Sequence, residues 1–173
     1  HAWGGGGLVA DSEAENEYEE TLHKLSKILP VLSDEGFEMS TMITLKQIQQ
    51  ALDAADEITP RTAKLRPSAV LVPLIQKADG LHILFTQRSE HLRHHAGQIS
   101  FPGGSMDDTD DDLVHTALRE TEEEVGIPQG DIEVLGKLPL QPTGSGFLIQ
   151  PVVGILPDNV ELILCQDEVS SAF

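Results

Sequence analysis

Three glutamates, Glu120, Glu123 and Glu124, stand at i, i+3 and i+4 in the run Leu113–Val125. At 3.6 residues per turn, a helix over this run carries all three carboxylates on one face. Like charges so spaced repel, at a cost of about a few tenths of a kcal/mol per pair. A bound divalent cation removes that cost. Hard oxygen ligands on one rigid helix suit Mg²⁺ or Mn²⁺, which take carboxylates together with substrate phosphates. Arg119 lies one residue before Glu120 and four before Glu123. It can pair with Glu123 or with a neighbouring carboxylate and so orient the ligands.

The plain alternative is a solvated acidic helix face. Against it stand the upstream Gly103–Gly104 turn, the Arg–Glu pair and the closing Gly126. An EF-hand loop is a second alternative, with Asp108, Asp110 and Asp112 at its first acidic positions. It fails where Leu113 replaces the required glycine and Arg119 replaces the closing glutamate.

Other elements must hold this helix in place. Val114, Ala117, Leu118, Thr121 and Val125 fall on a separate face that can bury. Gly126 and Pro128 stop the helix. Residues 69–75 and 81–86 read as β-strands joined through Asp79–Gly80, a hairpin signal. Residues 98–101 read as a short strand entering Pro102–Gly103–Gly104, and 107–112 as an acidic loop. Residues 132–138, 148–156 and 160–165 read as further strands, with Cys165 in a strand core. A second helix is expected over residues 44–57, with Leu45, Ile48, Leu52 and Ala55 on one face. Strands with helices interspersed argue for an α/β or α+β sandwich.

The whole chain has 173 residues, 29 acidic and 11 basic, for a net charge of −18. Residues 1–38 hold nine acids and two bases, and residues 104–126 nine acids and one base. The imbalance is therefore local to two stretches. So few cations argue against a nucleic-acid or anionic-membrane partner, since each phosphate contact needs one. One cysteine excludes an internal disulfide framework and an all-cysteine metal site. No run of 18 apolar residues suggests a membrane span. The cytoplasm is the expected compartment, and the oligomeric state is not legible.

The segment from Gly103 to Ile127 resembles the Nudix box, G-x5-E-x7-R-E-U-x-E-E-x-G-U, with U a bulky apolar residue. Arg119, Glu120, Glu123, Glu124, Gly126 and Ile127 match their places, while Thr121 stands where U is expected. The loop carries one extra residue, and Asp110 or Asp111 stands for its glutamate. Upstream, residues 84–104 are similar to the signature of the coenzyme A pyrophosphatase branch, L-L-T-x-R-S/A-x3-R-x3-G-x3-F-P-G-G. Phe85 is its one departure.

The resemblance implies a Nudix-type α/β/α sandwich with a mixed central sheet, over residues 42–173 and apparently short of its last element. It implies metal-dependent hydrolysis of the diphosphate of coenzyme A or its thioesters, giving 3′,5′-ADP and a 4′-phosphopantetheine product. The alternatives are another nucleoside diphosphate derivative as substrate, or a truncated and inactive module. By carry-over, Glu120 and Glu124 bind the metal, with Glu123 and a carbonyl near Gly104 as further ligands. Arg119 orients them. The general base is a box glutamate, Glu120 or Glu123, or Glu168 in the late loop. Arg88, Arg93, His94, Gly97 and Phe101 form the implied substrate-binding set. Arg88 and Arg93 would meet substrate phosphates, or else pair with the acids of residues 107–112. His23, His82 and His115 read as surface or packing residues.

Residues 1–36 are similar to something else. Gly5, Leu8–Asp11, Ser12, Glu17, Tyr18, Glu20 and Thr21 match the C-terminal end of chorismate-utilising enzymes such as aminodeoxychorismate synthase component I. Residues 1–38 are therefore expected to be an appended acidic tail, with a helix over 15–29. Met39 or Met42 would begin the Nudix part.

Overall fold

The computed structural model describes residues 43–54, 65–92 and 95–173. The acidic tail, Met39, Met42, Ala55, Arg93 and His94 lie outside them.

Helix α1, Leu45–Asp53, begins with a reciprocal cap. Thr44 Oγ1 accepts from the Gln47 N–H at 3.3 Å, and the Gln47 side chain accepts from the Thr44 N–H at 2.8 Å. Its apolar stripe, Leu45, Ile48 and Leu52, packs on Leu74, Val153, Val72, Leu135 and Leu138. Strand β1, Arg66–Lys77, runs parallel to the later strand β8, Phe147–Leu156, with Leu71 opposite Val152. These two central strands are apolar on both faces because both faces are covered.

The hairpin at Asp79–Gly80 forms, and Lys77 pairs with Gly80 at the start of β2, Gly80–Ile83. The expected single strand over 81–86 divides instead. Leu84 still donates its N–H to the Pro73 carbonyl, at 3.0 Å. Phe85 then exchanges backbone hydrogen bonds with Phe173, at 2.8 and 3.0 Å. The run thus feeds two sheets, and its second part is β3, Thr86–Arg88. Strand β4, Ile99–Ser100, and strand β9, Val169–Ala172, flank β3 antiparallel in a three-stranded sheet.

The glycines expected to form a turn form a short strand, β5, Gly103–Ser105, antiparallel to β1. A Cβ on Gly103 would lie 2.3 Å from the Ala69 carbonyl oxygen, so only glycine allows that approach. Strand β6, Glu133–Lys137, and strand β7, Gln141–Pro142, both pair antiparallel with β8. The main sheet runs β2-β1-β8-β6, with β5 and β7 attached.

Helix α2, Leu113–Val125, covers the face opposite α1. Ala117 and Val125 pack there with Ala69, Leu71, Ile75, Ile127, Val152 and Leu156. A mixed sheet between helices is the expected α/β/α sandwich. Residues 160–165 are not the expected strand, and Cys165 is a half-buried loop residue. Their backbone is used elsewhere. The Ile163 N–H donates to the Val125 carbonyl at 2.9 Å, and the Cys165 N–H to the Glu124 carbonyl at 3.0 Å. The segment thus satisfies carbonyls that every helix C-terminus leaves open. Among the described residues, no helix is long and apolar enough to cross a membrane.

Candidate active site

Helix α2 carries the site, and both of its ends are fixed. Asp112 caps the start by accepting from the His115 N–H at 2.8 Å. Gly126 ends it in the left-handed region, φ 76°, and a Cβ there would meet Ile163 at 2.7 Å. Thr121, where the family pattern has an apolar residue, is fully buried. Its hydroxyl donates to the Ala117 carbonyl at 2.7 Å, so the polar group brings its own partner from one turn back.

Arg119 organises the acidic face. Its Nε and Nη2 donate to the two carboxylate oxygens of Asp110, at 2.8 and 2.9 Å. Its Nη1 donates to Glu120 at 2.9 Å and to Glu123 at 3.1 Å, and Nη2 also reaches the Ser105 carbonyl at 3.2 Å. Of the two loop aspartates that could stand for the family's glutamate, Asp110 is the one engaged. It also accepts from the Asp107 N–H and the Thr116 hydroxyl, both at 2.9 Å. The Arg119 guanidinium holds the Asp110 carboxyl well below the usual carboxylate range, against the opposing effect of burial.

The three glutamates differ in environment, although they share a helix face. Glu123 is exposed, with a side chain 58% accessible. Glu120 is partly covered, and its carboxylate lies against the Gly104 backbone, where a Cβ would come within 2.5 Å of it. Burial raises the Glu120 pKa, while Arg119 opposes the rise. Glu124 is the buried one, its side chain 3% exposed. It accepts from the Gly103 N–H at 3.3 Å and lies 3.7 Å from Nη1 of Arg88. Burial pushes its pKa up to about 8, aided by the charges of Glu120 and Glu168 and opposed by Arg88.

Arg88 therefore meets Glu124, not the acids of residues 107–112, and its buried Nε has no hydrogen-bond partner. Glu168 is exposed on the turn before β9, and its charge raises the pKa of both Glu120 and Glu124. Gly97 sits at φ 69°, with the Glu90 carboxylate where a Cβ would be. Phe101 stacks on Phe85, ring centroids 5.0 Å apart. His82 pairs with Asp79 at 2.9 Å, and His115 accepts the Asp111 N–H at 3.1 Å. Both are surface partners of loop acids.

The structure thus brings Arg88, Gly104, Arg119, Glu120, Glu123 and Glu124 together along the middle and C-terminal part of α2, with the charge of Glu168 felt from the turn before β9. Asp110, as the group that fixes Arg119, completes the set. The donors are hard oxygens, the chemistry a small divalent cation takes. Among the described residues no three His, Cys, Asp or Glu side chains stand grouped as a ready cation site; Arg119 engages Glu120 and Glu123, and the Gly103 N–H engages Glu124.

Comparison with known proteins shows the family and the fold. The model of the NUDIX domain matches residues 64–171. A protein named uncharacterized Nudix hydrolase NudL from Escherichia fergusonii is 46% identical over 117 residues, 68% of this chain and 60% of its own length. Its namesake from Salmonella heidelberg is 47% identical over the same shares. The chain thus spans about 60% of the length of these curated relatives. Among solved structures, a binary complex of the Caenorhabditis elegans Ap4A hydrolase aligns with a TM-score of 0.51 at 20% identity. The match covers 61% of this chain and 76% of that one. The Mycobacterium smegmatis Nudix hydrolase RenU gives 0.52 at 15%, over 62% and 68%. At such identities these two likenesses speak for the fold alone.

Proposed function

The chain belongs to the Nudix family, and from that premise we propose that it is a divalent-metal-dependent diphosphatase acting on coenzyme A or its thioesters. Water is added across the diphosphate bond, giving 3′,5′-ADP and a 4′-phosphopantetheine product. The observation that carries the substrate is the meeting of two sequence motifs. The residues of the coenzyme A signature run directly into the box helix, Arg88 against Glu124 and Gly104 against Glu120.

Glu120 and Glu124 are the residues that would hold Mg²⁺ or Mn²⁺, with Glu123 and the Gly104 carbonyl as further donors. Such an ion neutralises negative charge that develops on the phosphate oxygens. Arg119 keeps Glu120 and Glu123 oriented. Glu168, or a box glutamate, takes the proton from the attacking water, which requires hydrogen-bond reach of that water. Arg88, with Arg93 and His94, offsets the repulsion between an anionic substrate and an acidic site. Gly97 shapes the loop between them, and Phe101 supports it from beside. The functional domain is proposed to run over residues 42–173, with 1–38 an appended tail, and to work in the cytoplasm.

The test is direct. The protein is incubated with coenzyme A and Mg²⁺ or Mn²⁺, and 3′,5′-ADP is measured, with Glu124→Gln as control. Product from the wild type and none from the control supports the reading. Turnover of ADP-ribose or dinucleoside polyphosphates but not coenzyme A moves the substrate while keeping the chemistry. No turnover of any of these leaves a module that binds without hydrolysing.

A further inference from the structure

Ser89 follows β3 and is 3% exposed. Both of its hydrogen-bond donors reach across to the turn that precedes β9. Its N–H donates to the Glu168 carbonyl at 2.9 Å, and its hydroxyl donates to the Gln166 carbonyl at 2.8 Å. The other side of that turn hangs from helix α2. The Cys165 N–H donates to the Glu124 carbonyl, and the Cys165 carbonyl accepts from the N–H groups of Glu168 and Val169, at 2.9 and 2.8 Å. The turn is thus suspended between the strand that bears Arg88 and the helix that bears Glu124. The register of β3 and β9 shifts between Gln87 and Arg88, at the entry to this clamp. Such an irregularity re-aims the chain beside it.

We propose that Ser89 is a positioning residue, whose hydroxyl and N–H together fix the 166–168 turn and so set Glu168 beside Glu120 and Glu124. The inference rests on the diphosphatase reading, and specifically on Glu168 as the group that takes the proton. A serine hydroxyl at this point does nothing to a substrate directly. It acts by removing freedom from the turn, and misplacement by about 1 Å can cost about a hundredfold in rate. Alanine is smaller than serine and leaves the Ser89 N–H bond in place, so Ser89→Ala tests the hydroxyl without crowding the interior.

The experiment compares wild type, Ser89→Ala, Glu168→Gln and the double variant on coenzyme A with Mg²⁺. The expected result is a fall of about tenfold in kcat for Ser89→Ala, with KM within about twofold. In the Glu168→Gln background the same change costs less than about twofold, because the two act through one group. An unchanged kcat in Ser89→Ala, an equal loss in both backgrounds, or a fully active Glu168→Gln each overturns the proposal. Amide hydrogen exchange gives a readout that needs no turnover. The Glu168 and Val169 amides are expected to exchange about tenfold faster in Ser89→Ala, with those of α2 unchanged. Equal protection of the turn in both proteins removes the clamp. A wild type without turnover sinks the diphosphatase reading, and the exchange rates then still decide whether Ser89 holds the turn.

Discussion

Arg119 and Asp110 form a two-point pair, Nε to Oδ1 at 2.8 Å and Nη2 to Oδ2 at 2.9 Å, and this pair joins the acidic loop to the helix that carries the glutamates. The pairing leaves Nη1 free to reach Glu120 and Glu123. A guanidinium fork bound at both prongs cannot rotate away, which a lysine at the same place could.

Replacing Asp110 by alanine is expected to destabilise the protein by about 2–3 kcal/mol, since hydrogen bonds to charged groups are lost and Arg119 keeps its charge. Activity should fall further than stability explains. Urea unfolding at pH 7 and turnover measured on the folded fraction check this. The Asp110 carboxyl titrates lower when folded than when unfolded. Its contribution is therefore complete above about pH 4 and is lost as the pH falls through the depressed value. The variant should lack this part of the acid-side loss.

Glu124 predicts the opposite slope. Its folded pKa, about 8, lies above the unfolded value near 4.5. Between those values the folded state holds a proton that the unfolded state has released, so metal-free stability falls as pH rises from 4.5 to 8. Glu124→Gln should be more stable than the wild type at pH 8, by a few kcal/mol as an order of magnitude, and equal to it below pH 4. Thermal unfolding in chelator across this range measures the slope. Saturating Mg²⁺ is expected to flatten it in the wild type and to stabilise the variant less than the wild type.

Gly104→Ala separates function from folding. The new methyl group meets the end of the Glu120 side chain rather than backbone, so the chain can fold around it. The carboxylate must shift, and turnover should fall by about a hundredfold. The melting temperature is expected to stay within about 3 °C of wild type. An active Gly104→Ala enzyme would mean that the exact place of Glu120 is unimportant.

Thr121→Val should be close to silent. The valine fills the same space, and the lost donor leaves only the Ala117 carbonyl, which the helix already uses. A change within about 1 kcal/mol in chemical unfolding, with unchanged kcat, is the expected outcome.

Helix α2 was legible in the sequence because its information is local. The stop at Gly126 and the 3.6-residue spacing of the glutamates lie within one short stretch, whereas the cap at Asp112 was read only as part of the acidic loop. The burial of Glu124 was not legible, because it depends on Arg88 and Gly103, which reach it from other strands. Choosing between Asp110 and Asp111 required the loop path that brings Asp110 onto Thr116 and Arg119. Residues 160–165 have the apolar texture of a strand, yet the N–H groups of Ile163 and Cys165 go to the end of α2. Residues 81–86 likewise look continuous, and only the rivalry between Pro73 and Phe173 for their backbone divides them. In both cases local propensity was overridden by where hydrogen-bond partners lay in space.

Strand β9 lies against β3, and the Ser171 hydroxyl meets the Gln87 side chain across 84 residues of chain, at 3.1 Å. For a ribosome making this protein, helix α2 is finished before the turn that bears Glu168 is made. A nascent chain released from the exit tunnel only as far as Ile127 would carry every glutamate of the box without the Glu168 turn beside them. Synthesis must therefore pass Ala172 before β9 can pair with β3 and hold this turn in place.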